Sequence, residues 1–131
     1  MQAKLNAVKL FHKKFGLGVS HTLMADLGPE KNQLRFQLME EENKEYLEAA
    51  NKGDMVEVAD ALGDMLYILC GTILEHGMQH KIDEVFNEIQ RSNMSKLGED
   101  GKPIYREDRK VLKGPQFREP NIAQVLEGKI F

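Results

Sequence analysis

No stretch of this sequence reaches the roughly 18 consecutive apolar residues that a membrane-spanning helix needs, so no membrane partner is expected. There is one cysteine, Cys70, which excludes a disulfide framework and a cysteine-built zinc site; placed inside an apolar helical run, it reads as a small core residue. Positive charge is not in excess either. With 18 Lys and Arg against 21 Asp and Glu, the net charge of −3 gives no general attraction to a nucleic acid polymer or a membrane surface. The opening MQAKLNAVKLFHKKF lacks the long apolar segment of a signal peptide, and a cytoplasmic location is expected. No internal repeat and no low-complexity linker interrupts the chain. The Asp-rich turns after Leu97 lack the ordered acid spacing and closing glutamate of a calcium loop.

What is present is a chain of 131 residues, 41% hydrophobic and 30% charged, which suits one globular domain over residues 1–131. Its charges are segregated. From Glu40 to Asp64 there are nine acids against only Lys44 and Lys52, whereas Arg91 to Lys113 holds seven bases against four acids. An acidic centre followed by a basic segment suits a metal joined to an anionic ligand.

Hydrophobic periodicity predicts four main helices. The first covers residues 2–15, with Leu5, Val8 and Phe15 near one face and Phe11 flanking it. His12 reads as a surface or core-edge residue, and His21 as a loop residue before Pro29. The second helix begins at Pro29 or Glu30 and lasts to Asn51 or Lys52, where Gly53 ends it. Asp54 is a good N-cap for the third, with Glu57 as its capping-box partner. From Val58 to Leu74 that helix is apolar almost all round, and Gly63 and Gly71 suggest close approach of another backbone. A fourth helix runs from about His80 to Asn93, with Ile82, Val85, Phe86 and Ile89 as its buried stripe. Residues 97–131 form an extended basic tail in which Pro103 to Arg106 and Lys110 to Lys113 read as a small hairpin. One more helical turn is expected after Asn121. The fold class is therefore all-α, a helical bundle with a C-terminal β-hairpin.

Acids stand where a core should be. At about 100° per residue, Leu34, Leu38, Glu41, Glu42 and Glu45 share one stripe of the second helix, and Glu57, Asp60 and Asp64 share a face of the third. The short connection at residues 52–54 forces the two helices to run antiparallel, which brings the Glu42/Glu45 pair to the Asp60/Asp64 pair. Oxygen donors without histidine or cysteine select a hard cation, Mg²⁺ or Mn²⁺, and the absence of a Glu-x-x-His pair argues against a di-iron site. Glu40, Lys44 and Glu48 read as solvated charges.

Glu41-Glu42-x-x-Glu45 followed by Leu62-Gly63-Asp64-Met65-Leu66 resembles the all-α nucleoside triphosphate pyrophosphohydrolases, the MazG-like and phosphoribosyl-ATP pyrophosphohydrolase-like superfamily. The tail RSNMSKLGEDGKPIYREDRKVLKGPQF resembles the extension of the second branch, so the likeness covers most of Arg35 to Phe117. The chain departs from the pattern at Ala61, where the resemblance places a third glutamate; Asp60 or Glu57 would take its part. The resemblance implies an enzyme that hydrolyses a nucleoside triphosphate between its α and β phosphates. It implies metal ligands at Glu42, Glu45, Asp60 and Asp64, with Glu41 orienting the attacking water. Arg91, Lys96, Arg109 and Lys113 are then candidates for the phosphates, and Asn93 for a polar contact to the nucleotide. A homodimer or homotetramer is expected, both from the resemblance and from the apolar girdle of the third helix. Two other readings are a non-catalytic helical module that binds metal and nucleotide, and an acidic protein imitating nucleic acid.

Overall fold

The computed structural model describes residues 1–128. Its elements are α1 (Gln2–Phe15), α2 (Pro29–Lys52), α3 (Met55–Glu75), α4 (Ile82–Met94), β1 (Ile104–Tyr105), β2 (Val111–Leu112) and α5 (Ile122–Leu126). The chain divides into two compact units, Met1–His80 and Lys81–Phe131. The last three residues of the expected tail lie outside the described residues.

In the first unit α2 and α3 form the main packed pair, and α1 lies against α3. Their junction follows from local chemistry. Gly53 takes the left-handed conformation at φ 66°, open to glycine without a Cβ penalty, and the Asp54 amide closes α2 by donating to the Ala49 carbonyl at 3.0 Å. Asp54 then caps α3, its Oδ1 accepting the Glu57 amide at 3.2 Å. The core comprises Leu5, Val8, Ala49, Ala61, Cys70, Ile73 and Leu74. Burial pushes the Cys70 thiol up, as suits an inert packing residue.

The segment joining α1 to α2 is pinned across the end of α3. Ser20 and Met24 donate their amides to the carbonyls of Leu74 and His76 at 2.9 and 3.0 Å. Glu75, although 6% exposed, accepts from the Gly18 amide at 3.2 Å and from Lys31 Nζ at 3.0 Å. Gln79 Nε2 donates to the Ser20 carbonyl at 2.8 Å.

Several expected placements need correction. His12 is 2% exposed, with Nδ1 bonded to the Gly18 carbonyl at 2.8 Å, because the chain folds back over it after Gly16. Phe15, Phe86 and Ile89 are exposed, and so are Leu62, Leu66 and Leu69 on α3. Helix α3 is covered by α1 and α2 on two sides, and the remainder of its apolar girdle has no cover within its own unit. Gly63 has open space around it, whereas Gly71 is closely approached, by side chains rather than by backbone.

The second unit contains α4, the hairpin and α5, with α4 packed on α5. The strands pair antiparallel, Ile104 opposite Leu112 and Tyr105 opposite Val111. Asn121 caps α5 by accepting the Gln124 amide at 3.2 Å, and its own amide donates to Glu88 Oε2 at 2.9 Å. Buried Ser92 donates to the Arg118 carbonyl at 2.8 Å, tying the segment after the hairpin to α4. Among the described residues no helix is long and apolar enough to cross a membrane.

Candidate metal centre

On the packed α2–α3 pair, Glu45, Asp60 and Asp64 stand near enough to Glu42 to act on its charge. Glu42 is half-buried on α2, with Glu45 one turn further along. Asp64 is half-buried on α3, and Asp60 one turn before it is exposed. Burial first, then the neighbouring Glu45, then the charges of Asp64 and Asp60, push the Glu42 carboxyl up to about 7. Its Oε2 is shut away from solvent without a hydrogen-bond partner. A buried acceptor left without a donor costs free energy on the order of 1–3 kcal/mol, a cost that falls on this one oxygen of Glu42.

Asp60, and not Glu57, belongs to the group that acts on Glu42. The Glu57 amide is committed to the Asp54 cap, and its side chain lines a cavity of about 320 Å³ with Glu45, Glu48, Ala49, Lys52 and Asp54. Ala61 is buried in the core, where an acid would lose its water. Glu41 is exposed beside Glu42. Among the described residues no three carboxylate, imidazole or thiol groups already stand close enough to enclose an ion. The four acids form an open electronegative face of hard oxygen donors, whose chemistry fits a hard divalent cation better than a thiophilic one.

The five basic and polar candidates all lie in the second unit. Arg91 grips Glu88 with Nε and Nη2 at 2.6 and 3.0 Å, and Nη2 also donates to the Glu119 carbonyl at 3.2 Å. Arg91, followed by the Asn121 amide, holds the Glu88 carboxyl down to about 2. Lys113 reaches the same Glu119, at 3.5 Å from Oε1, and lies 4.7 Å over the Phe117 ring. The structure thus brings Arg91 and Lys113 together at Glu119. Arg109 sits in the hairpin turn with a left-handed backbone, φ 68°. Asn93 is exposed near the end of α4, and the Lys96 carbonyl accepts the Gly114 amide at 2.8 Å. A cavity of about 750 Å³ is lined by Arg91, Ser95, Pro115, Gln116, Phe117 and Arg118, and the other four candidates stand outside that lining.

A second polar group escaped sequence reasoning. Arg35 donates from Nη2 to the Ile68 carbonyl at 2.8 Å and from Nε to Thr72 Oγ1 at 3.0 Å. The available signal was its place on the stripe of Leu38, Glu42 and Glu45, three, seven and ten residues on.

A helical unit whose longest pair of helices presents facing carboxylates has the architecture of the all-α nucleoside triphosphate pyrophosphohydrolases. Residues 8–93 match the phosphoribosyl-ATP pyrophosphohydrolase family, and the chain belongs to that family. It is 34% identical over 68 residues to an uncharacterized protein of Acanthamoeba polyphaga mimivirus; the match takes in 50% of this chain and 27% of that protein. The chain therefore spans little more than a quarter of the length of that curated relative. Its fold is similar to the crystal structure of a protein from Exiguobacterium sp. 255-15, provisionally named an NTP pyrophosphohydrolase. The TM-score is 0.51 at 26% identity, over 96% of this chain and 92% of the other.

Proposed function

We propose that this chain hydrolyses the α–β phosphoanhydride bond of nucleoside triphosphates, with Mg²⁺ as cofactor and Mn²⁺ as a substitute, releasing a ribo- or deoxyribonucleoside monophosphate and pyrophosphate. Glu42 carries the reading. A carboxyl pushed up to about 7 by burial and by Glu45, Asp64 and Asp60, with one oxygen lacking any partner, is a site that a divalent cation would relieve more fully than a proton. Glu42, Glu45, Asp60 and Asp64 would hold the ion through carboxylate oxygens. Bound Mg²⁺ would neutralise the charge on the phosphate oxygens during in-line displacement.

Glu41, adjacent on α2 and open to solvent, orients the attacking water and takes its proton at the carboxylate. Within the second unit, Arg91, Lys96, Arg109 and Lys113 carry charge suited to phosphate, and Asn93 a polar group suited to a nucleotide. Arg91 and Lys113 would exchange Glu88 and Glu119 for phosphate oxygens, which guanidinium and ammonium groups bind well. The working form is a cytoplasmic homodimer or homotetramer, supported by the uncovered apolar face of α3.

The test is a panel of ribo- and deoxyribonucleoside triphosphates with Mg²⁺, with monophosphate and pyrophosphate both measured. Equal amounts of the two products are expected from at least one nucleotide. Release of orthophosphate instead would overturn the assignment of the broken bond. Tight nucleotide binding with no product from any of them would favour the non-catalytic module.

A further inference from the structure

We infer that Arg35 is a positioning residue for the carboxylate face, setting the register of α2 on α3 at which Glu42 meets Asp64; the assignment rests on the metal-centre reading given above. The guanidinium makes two directional contacts on adjacent turns of α3: Nη2 to the Ile68 carbonyl at 2.8 Å and Nε to Thr72 Oγ1 at 3.0 Å. Thr72 Oγ1 itself donates to the same Ile68 carbonyl at 2.8 Å, so arginine, threonine and carbonyl close a triangle. Ile68 is one helical turn beyond Asp64, and Arg35 is two turns before Glu42. An antiparallel pair that places Arg35 against Ile68 and Thr72 necessarily places Glu42 against Asp64. Sliding either helix by one residue, about 1.5 Å, would take both contacts out of line unless the Arg35 stem changed rotamer.

Glycine 71 makes room for this clamp. A Cβ there would stand 2.8 Å from Arg35 Nη2 and 2.8 Å from His12 Nε2. His12 backs the notch from α1, held by the Gly18 carbonyl through Nδ1. An apolar side chain at position 35 would fill the same space and keep α2 packed on α3, but it would carry no directional bond to fix their register. That distinction separates positioning from simple packing. Four carboxylates that must each point at one small cation need the register, whereas the hydrophobic contact does not.

The experiment compares wild type with Arg35→Met, Thr72→Val, Thr72→Ser and Gly71→Ala. Mn²⁺ affinity is read by paramagnetic resonance titration, without nucleotide, beside the melting temperature of the metal-free protein. Thr72→Val and Gly71→Ala should weaken Mn²⁺ binding by about tenfold or more, and Thr72→Ser, which keeps the hydroxyl, should restore it. Thr72→Val against Thr72→Ser is the sharpest pair, since the Gly71→Ala methyl, though alanine favours the helix, crowds His12 as closely as it crowds Arg35. Arg35→Met should behave like Thr72→Val. Mn²⁺ affinity unchanged in Thr72→Val and Gly71→Ala overturns the assignment alone, as does affinity lost equally in Thr72→Ser and Thr72→Val. Failure of the wild type to bind Mn²⁺ overturns the metal-centre reading and this assignment with it.

Discussion

An ionised carboxylate is most stable in water, and the fold has carried Glu42 away from water and toward three other carboxylates. In the unfolded chain this group loses its proton near its ordinary value of 4.5; in the folded chain it keeps the proton up to about 7. Between those values the folded state binds the extra proton, so stability contributed by this group is intact below 4.5 and is lost as the pH rises through 7. Metal-free protein should therefore melt at a lower temperature at about pH 8 than at about pH 5.5, and Mg²⁺ should flatten that slope. A melting temperature in EDTA that rises over this range would contradict the role given to Glu42. Glu45→Gln and Asp64→Asn should abolish Mg²⁺-dependent hydrolysis while leaving the metal-free melting temperature unchanged or higher, because each removes one charge from a self-repelling group. Wild-type rates in both would remove the metal centre from the mechanism. Glu41→Gln should differ in kind, keeping calorimetric Mg²⁺-nucleotide binding but losing about 10²-fold or more in turnover. Helical periodicity puts Glu42 with Glu45, and Asp60 with Asp64, on one face of each helix, and the pairing of α2 with α3 lets the other three act on Glu42. His12, Arg35 and Glu75 were not legible in the same way. Their partners lie up to 57 residues away in the chain, and no local pattern encodes such pairs.

Helix boundaries followed the sequence where a terminus has its own chemistry. Pro29 opens α2, Gly53 closes it, Asp54 caps α3 and Asn121 caps α5, each at the position its side chain or its backbone freedom predicts. The faces of the helices were less predictable. A stripe such as Phe86 and Ile89 specifies an apolar surface but not whether the same chain supplies its cover. The Asp54 cap has a measurable weight. Asp54→Ala leaves the Glu57 amide without its acceptor and should lower unfolding stability by about 1 kcal/mol, readable as a shift of the urea midpoint. No shift would mean that the turn at Gly53 defines the start of α3 without the side chain.

Both units leave apolar residues without cover, and in the first they lie along α1 and α3. Phe11 stacks on Phe15 at 4.3 Å and meets the edge of Tyr67 at 5.6 Å, and Leu62, Leu66 and Leu69 make a separate exposed stripe on α3. Sedimentation should show a dimer or tetramer at micromolar concentration, with a melting temperature that rises with protein concentration. Phe15→Glu and Leu62→Glu should shift the protein toward monomer. A wild-type monomer with a concentration-independent melting temperature would sink this expectation. The division at His80 and Lys81 has an evolutionary corollary. Every carboxylate of the candidate metal centre belongs to Met1–His80, and every basic residue assigned to the nucleotide belongs to Lys81–Phe131. Substitutions at those basic residues leave in place every group that raises the Glu42 carboxyl, since Glu45, Asp64 and Asp60 all belong to the first unit.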